Sequence, residues 1–292
     1  MDIQLLETFL VVCEERNLSR AAVRLFRTQP AVTRQIQALE AQLGARLLER
    51  TPRGVQPTAQ GEELRARSTR ILSELRSLKD LGSGDGGPSG ELLLACSDTV
   101  ACHFLAPFLG QLARECPRVR ICITSGTTPG IVNLVERGTC ELGIVLLPLR
   151  NPRLERQPVL TYHNAAVFPP GRGPKTSAAT TLDALCQGPL VLLTRESATR
   201  RSFDEAVAAQ GLHPEQVLEV GTVSVQKAMV RAGLGAGILP GYALDPGDGL
   251  EHLPILGSHP KSLGLCWLKA RALSAPAERM ASLLAAATPP AP

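Results

Sequence analysis

No stretch of this sequence approaches the roughly 18 uncharged apolar residues that mark a membrane-spanning helix, so nothing in it predicts a span. The opening run MDIQLLETFLVVCEE has early acids and no basic leader, which argues against a secretory signal. The expected location is therefore the cytoplasm, with no membrane partner. None of the eight cysteines (Cys13, Cys96, Cys102, Cys116, Cys122, Cys140, Cys186, Cys266) stands in a C-x-x-C pair. Cys96 and Cys102 precede His103, but five residues separate them, which suits neither haem attachment nor a zinc knuckle. The thiols are expected to be reduced and mostly small buried hydrophobes. Neither metal nor cofactor is expected. The five histidines (His103, His163, His213, His252, His259) fall in or beside turns or at helix starts. No nucleophile motif or glycine-rich phosphate loop surrounds them, so no catalytic residue stands out and an enzyme is not expected.

Lysine is also scarce. Only Lys79, Lys175, Lys227, Lys261 and Lys269 stand among the 31 basic residues, and the first 60 residues hold eight arginines and no lysine. That bias fits a GC-rich genome as well as it fits phosphate and base-edge contact by guanidinium groups. The net charge of +4 is mild and permits a nucleic-acid partner without requiring one. What is present is ordinary globular material, 44% hydrophobic and 20% charged. A length of 292 residues suggests roughly two domains.

The first 60 residues read as helices. Leu5, Leu6, Phe9, Val12 and Cys13 recur at helical spacing. Ser19 is the expected N-cap of a short helix carrying Ala21, Ala22 and Leu25. Thr28-Gln29-Pro30 opens a third helix, where an early proline costs little. Val32, Ile36, Leu39 and Leu43 form its apolar stripe, and Gly44 stops it. A hairpin is expected across 47–57, turning at Pro52-Arg53-Gly54. Thr58 begins a long helix to about Asp80, with Leu64, Ile71, Leu75 and Leu78 along one side. A charged opposite face favours self-association of this helix. GSGDGGPSG (82–90) reads as a flexible hinge. Beyond it, strands and helices alternate in two sets, which predicts parallel sheets covered by helices, in two lobes with a cleft between them. The tail TPPAP is expected to be disordered.

A helix-turn-helix reads the major groove with the exposed face of its second helix. The apolar stripe of helix 30–43 leaves Thr33, Arg34 and Gln37 pointing away from the core, with Gln29 at the helix entrance. Glutamine pairs with adenine and arginine with guanine, while threonine offers a hydroxyl or a methyl. Arg50 and Arg53 in the hairpin are placed for phosphates or the minor groove. Periodicity alone leaves open a plain three-helix packing unit with a solvated polar face.

The string NLSRAAVRLFRTQPAVTRQIQALEAQLGARLLERTPRGVQPTAQG (17–61) closely resembles the DNA-binding domain of LysR-type transcriptional regulators. The likeness is carried by the double alanine, Gln29-Pro30-Ala31-Val32, Thr33-Arg34-Gln35-Ile36, Leu39-Glu40, Leu43-Gly44, Leu47-Leu48-Glu49-Arg50 and Thr58-Ala59-Gln60-Gly61. Thr33 stands where serine is frequent, and Leu48 where phenylalanine is common. The resemblance implies an α/β protein: a winged helix-turn-helix over 1–58, a linker and dimerisation helix over 59–81, a hinge over 82–90, and an effector domain over 91–292. That last domain would be two-lobed, Rossmann-like and of periplasmic-binding-protein type, with lobe 1 about 91–161 and 266–292 and lobe 2 about 162–265. It also implies a homodimer or homotetramer on promoter DNA, with RNA polymerase as a further partner. Gln29, Pro30, Thr33 and Arg34 would be the recognition-helix contacts, with Arg53 on the wing.

In doubly wound sheets, ligands bind beyond the carboxyl ends of strands near helix N-termini, where anions are favoured. Three such places carry hydroxyls: Ser97-Asp98-Thr99; Thr124-Ser125-Gly126-Thr127-Thr128; and Thr194 with Ser197 and Thr199. Each is also an ordinary N-cap candidate. Effector sites in the family use these loops, so Ser97, Thr99, Thr127 and Thr194 are expected to contact a small, anionic effector. Asp98 would count against an anion if it points inward. Neither cleft aromatics nor a paired arginine clamp is evident. Peroxide-sensing members of the family place a cysteine in the loop that here reads Arg195-Glu196-Ser197-Ala198-Thr199, so a thiol switch of that type is not expected. The rival classes are an enzyme in the two-lobed region and an architectural DNA-binding protein that senses no ligand.

Overall fold

The structure, a computed structural model, describes residues 2–51, 54–80, 88–174 and 178–287. Arg53, most of the hinge and the final tail lie outside the described residues, as do the side chains of Arg50 and Leu78.

Three helices open the chain: α1 (Ile3–Glu15), α2 (Leu18–Arg24) and α3 (Gln29–Leu43). They close over Phe9, Val12, Ala21, Val32 and Leu39, each fully buried. The cap of α2 differs from expectation. It is Asn17, not Ser19, whose side chain accepts from the amides of Ser19 and Arg20 at 2.9 and 3.1 Å. Asn17 has the extended backbone a cap needs, so the helix starts one residue ahead of Ser19. Helix α3 ends at Gly44, whose φ of 63° is the left-handed conformation that suits glycine.

A hairpin of β1 (Leu48–Thr51) and β2 (Gly54–Pro57) follows. Glu40, on α3, accepts from the amides of Leu47 and Leu48 at 2.7 and 3.2 Å and so fastens the wing to the helix. Thr58 donates to the Arg46 carbonyl and accepts from the Gly61 amide, opening α4 (Ala59–Asp80). A Cβ on Gly61 would collide with the Leu47 carbonyl, so the start of α4 can lie against the wing only with glycine there.

The inward face of α4 differs from the expected stripe. Gly61, Ser68 and Leu72 are buried and Leu64 half-buried, whereas Ile71 is 43% exposed. The helix turns this face toward α1 and the first strand of the next domain, which leaves Ile71 outward.

The remainder is two five-stranded sheets. The first lobe contains β3 (Gly90–Cys96), a helix in three parts, β4 (Val119–Ser125), α7 (Thr128–Glu136), β5 (Leu142–Leu147) and β6 (Leu154–Tyr162). The three-part helix is α5 (Asp98–Val100), a π turn (Ala101–Leu105) and α6 (Ala106–Glu115). It starts at Asp98 because Ser97 caps it. The second lobe contains β7 (Asn164–Phe168), α8 (Leu182–Cys186), β8 (Leu190–Leu193), α9 (Ala198–Ala209), β9 (Val217–Val220), α10 (Val223–Arg231), β10 (Ala236–Pro240) and β11 (Glu251–Pro254). The chain then returns to the first lobe through β12 (Lys261–Leu268) and α11 (Ala275–Ala287).

Strand orders are β4-β3-β5-β12-β6 and β11-β7-β10-β8-β9. Each sheet has a parallel trio, around β3 and around β8, extended by antiparallel strands. The sheets are thus mixed, not purely parallel. The return crossing also moves. The whole of β12 pairs in the first sheet from Lys261, opposite Tyr162, so lobe 2 ends before 261 and not at 265. Lys261 and Ser262 are polar, which hid the start of that strand.

Candidate DNA-reading face and effector cleft

Helix α3 presents Gln29, Pro30, Arg34 and Gln37 to solvent and holds Thr33 half-exposed, while Val32, Ile36 and Leu39 face the core. The face is rigid because α3 is tied at several points. Thr8 of α1 donates to Gln35 at 3.0 Å, and Glu40 holds the wing. The turn leading into α3 carries Phe26 at a φ of 53°, unusual for a bulky side chain and 96% exposed. Arg50 lies on strand β1 of the wing, its side chain outside the described set, and Arg53 lies outside it altogether.

A cavity of about 420 Å³ lies between the two lobes. That volume suits a small molecule. Ser97, Thr99, Thr127 and Thr194 all line it, although 97 residues separate the first from the last. Topology brings them together, because the carboxyl ends of the parallel strands in both sheets open on the same space. Four helix N-termini also meet there, led by Ser97, Thr127, Ser197 and Thr222. They are not equivalent. Ser97 accepts from the Val100 amide and Thr222 from the Val225 amide, each at 3.3 Å, so these two helices are capped from within. Thr127 and Ser197 make no such bond, and the first-turn amides of α7 and α9 stay uncapped.

Buried polar ties fix the loops of the second lobe. Arg200, 7% exposed, donates to the Leu193 carbonyl at 3.0 Å, to Glu219 at 3.1 Å and to Asp204 at 2.8 Å, joining β8, β9 and α9. Gln226 donates to the carbonyls of Val191 and Ile238, at 2.7 and 3.3 Å, which anchors α10 over the sheet. The buried Lys227 pairs with Asp248 at 2.6 Å. Sequence reasoning passed over these three residues. Their only sign was a polar side chain at a helix position otherwise facing the core.

The cleft does contain aromatics, which corrects the sequence reading. Tyr162, at the end of β6, and Tyr242, in the turn after β10, meet edge to face at 4.8 Å and both line the cavity. Burial pushes the Tyr162 hydroxyl up to about 12, so it stays protonated. The two are 80 residues apart in sequence, and only the interlobe crossing places them together. Charge in the lining comes from Asp98, Glu196, Arg201 and His103. Asp98 accepts from the Ser125 hydroxyl. Hydrogen bonds from its own amide and from Thr194 hold the Glu196 carboxyl below its usual range. Arg201 donates to the Glu196 carbonyl at 2.6 Å. Partial burial and, after it, the nearby Lys227 hold His103 below its ordinary value.

Six of the eight cysteines are buried, Cys122 is intermediate, and Cys102 is exposed on the cavity wall. Burial raises the thiols of Cys13, Cys96 and Cys266 to about 12, which keeps them protonated and unreactive. Among the described residues, no group of three or more His, Cys, Asp or Glu side chains could hold a metal, and no helix is long and apolar enough to cross a membrane.

Comparison with known proteins accounts for both surfaces at once. Residues 3–62 match the family described as bacterial regulatory helix-turn-helix protein, lysR family, and residues 85–289 match the LysR substrate binding domain. The transcriptional regulator ClcR of Pseudomonas putida is 32% identical over 252 residues, covering 82% of this chain and 83% of its own. The transcriptional regulator CysB of Burkholderia cenocepacia is 31% identical over 244 residues, covering 82% and 78%. Among solved structures, a full-length OxyR variant from Pseudomonas aeruginosa superposes with a TM-score of 0.73 at 22% identity, covering 98% of this chain and 94% of that one. Full-length CbnR in complex with its target DNA superposes with a TM-score of 0.71 at 24% identity, covering 99% and 100%. A reading helix at one end and a two-lobed cleft at the other are what such a protein needs to couple a signal to a promoter, and the two matched regions together take in most of the sequence. The chain belongs to the LysR family: it is a DNA-binding transcriptional regulator with a substrate-binding effector domain, and not an enzyme.

Proposed function

We propose that this regulator reads promoter DNA through Gln29, Pro30, Thr33, Arg34, Gln37, Arg50 and Arg53, and senses a small metabolite bearing an anionic group through Ser97, Thr99, Thr127 and Thr194. The observation that carries the sensing half is the convergence of those four hydroxyl residues on one interlobe cavity beside two uncapped helix N-termini. Uncapped amides and the helix dipole favour negative charge. The exposed face of α3 supports the reading half, because its residue types match base edges.

The regulator acts as a homodimer or homotetramer in the cytoplasm, on RNA polymerase at the promoter. Support for self-association comes from apolar side chains left on sheet edges. Ile123 on edge strand β4, and Val217 and Leu218 on edge strand β9, are about 40% exposed, as is Ile71 on α4. Exposed apolar edges of this kind pair with another chain or are otherwise protected. Effector binding closes the lobes and biases one of two spacings of the DNA-binding pairs. The test is a footprint of the purified protein on the intergenic DNA beside its own gene, with and without a metabolite panel. Protection longer than one helical turn that one metabolite alters is the expected result. Protection that no metabolite changes would leave the sensing half without support.

A further inference from the structure

The charges facing the cleft narrow the class of effector. Of the carboxylates in the lining, Glu196 is accounted for: its own amide and Thr194 hydrogen-bond it, and Arg201 lies close enough to lower its titration. Asp98 has no cation. Its partner is the neutral hydroxyl of Ser125, and no ion pair to it exists among the described residues. His103 offers no reliable charge, since burial and Lys227 hold it toward the neutral form. A purely anionic effector would therefore meet a carboxylate with no cation beside it. Asp98 is exposed to solvent in the open cleft, so the repulsion is screened until a ligand covers it.

The same hydrogen bond fixes where that carboxylate sits. Ser125 belongs to the loop that runs through Gly126 into Thr127 and α7. Asp98 is thus held beside the helix end whose first-turn amides no side chain caps. A seat for a cation and a seat for an anion lie side by side in lobe 1, and the second lobe closes over whatever is attached to them. Resting on the cleft reading above, we propose that the effector is an α-amino acid, or a derivative keeping both its free ammonium and its free carboxylate. The ammonium sits on Asp98 and the carboxylate at the N-terminus of α7. The effector side chain then reaches across to Thr194 and the second lobe, which sets specificity.

The experiment uses the full-length protein and three probe sets: the proteinogenic L-amino acids, the matching 2-oxo acids, and the matching amines without the carboxylate. Thermal shift ranks them and calorimetry gives the affinities. One or a few amino acids are expected to stabilise the protein, with their 2-oxo and decarboxylated counterparts at least tenfold weaker. Asp98→Asn should weaken the amino acid at least tenfold while leaving the ligand-free melting temperature and DNA binding unchanged. Equal affinity for a 2-oxo acid, an unaffected Asp98→Asn variant, or no stabilisation by any amino acid overturns the proposal. The cleft reading fails separately. If a metabolite binds and neither Thr99→Val nor Thr194→Val weakens it, the ligand lies elsewhere. If a carboxylate without an ammonium binds and those two variants weaken it, the cleft stands and the amino-acid assignment falls.

Discussion

The candidate DNA-reading face centres on one 15-residue helix with the wing beside it, while the cleft draws on segments from Ser97 to Leu263. The first is held by a core of three short helices and a hairpin. The second is held by two sheets, with buried polar ties such as Arg200 fixing its rims. A local surface depends on the stability of its small domain, so its weak point is packing. A distributed surface depends on how strand ends are aimed, so its weak points are single hydrogen bonds and charges. The two should therefore fail differently.

The largest expected effect is on packing. Phe9→Ala removes a fully buried ring from the N-terminal core, at a cost of about 3–5 kcal/mol. A domain of this size holds little reserve, so DNA binding should be lost near physiological temperature. Effector-induced stabilisation of the second domain should survive. Calorimetry with a parallel DNA shift assay separates the two. Loss of both together would show one cooperative unit and end the comparison.

Arg34→Ala tests the exposed face without touching its support. If Arg34 reads a guanine, specific binding weakens by about 1–3 kcal/mol and binding to random DNA is unchanged. Equal loss on both sequences would make it a phosphate contact.

The cap of α2 comes next. Asn17→Ala should lower stability by about 1 kcal/mol, measured by urea denaturation of the N-terminal transition. Ser19→Ala should have little effect, because the Ser19 amide is the donor in that cap and its side chain is not used. A larger loss for Ser19 would reverse the assignment.

The difference between the two regions also explains what the sequence disclosed. Helix α3, its glycine stop and the outward face with Arg34 follow from spacing within a few turns. Glu40 and Gly61 belong to the family motif, and the wing they hold supplies their physical reason. The three hydroxyl loops were legible because each follows an apolar strand. The meeting of Tyr162 with Tyr242 was not, because it depends on where the chain crosses between lobes. Strands β6 and β11 also escaped notice. In β6 exposed or polar residues and a proline interrupt the buried positions, and β11 has no buried residue and ends in a proline, so neither shows a continuous apolar run. Asp98 was noticed as a charge, but its orientation came only with Ser125 across the loop.

Within the cleft, Thr194→Val should weaken the effector by about 0.5–1.5 kcal/mol, the worth of one hydrogen bond. DNA affinity without effector should not change. The substitution also removes a donor to Glu196, whose carboxyl should then titrate higher. An NMR titration of that carboxylate checks the second effect. An unchanged Glu196 would mean that its own amide and Arg201 set its titration without Thr194.

The smallest expected effect lies at the junction of the lobes. His103 sits on the π turn of lobe 1, and its titration is depressed from 6.5, first by burial and then by Lys227 of lobe 2. Asp248 and Asp245 oppose the lysine only in part, and Asp248 is already paired with it at 2.6 Å. The unfolded chain takes up the proton near the ordinary value while the folded one resists, so the folded state is favoured above that pH. This contribution is lost as pH falls through 6.5 toward the lower folded value. The melting temperature should therefore decline slightly between pH 7.5 and pH 5.5, and His103→Gln should flatten that part of the decline. DNA binding by the isolated reading face has no histidine to respond with, since the first 80 residues contain none. A pH dependence of the same size in His103→Gln would place the titrating group elsewhere and remove this last distinction between the two regions.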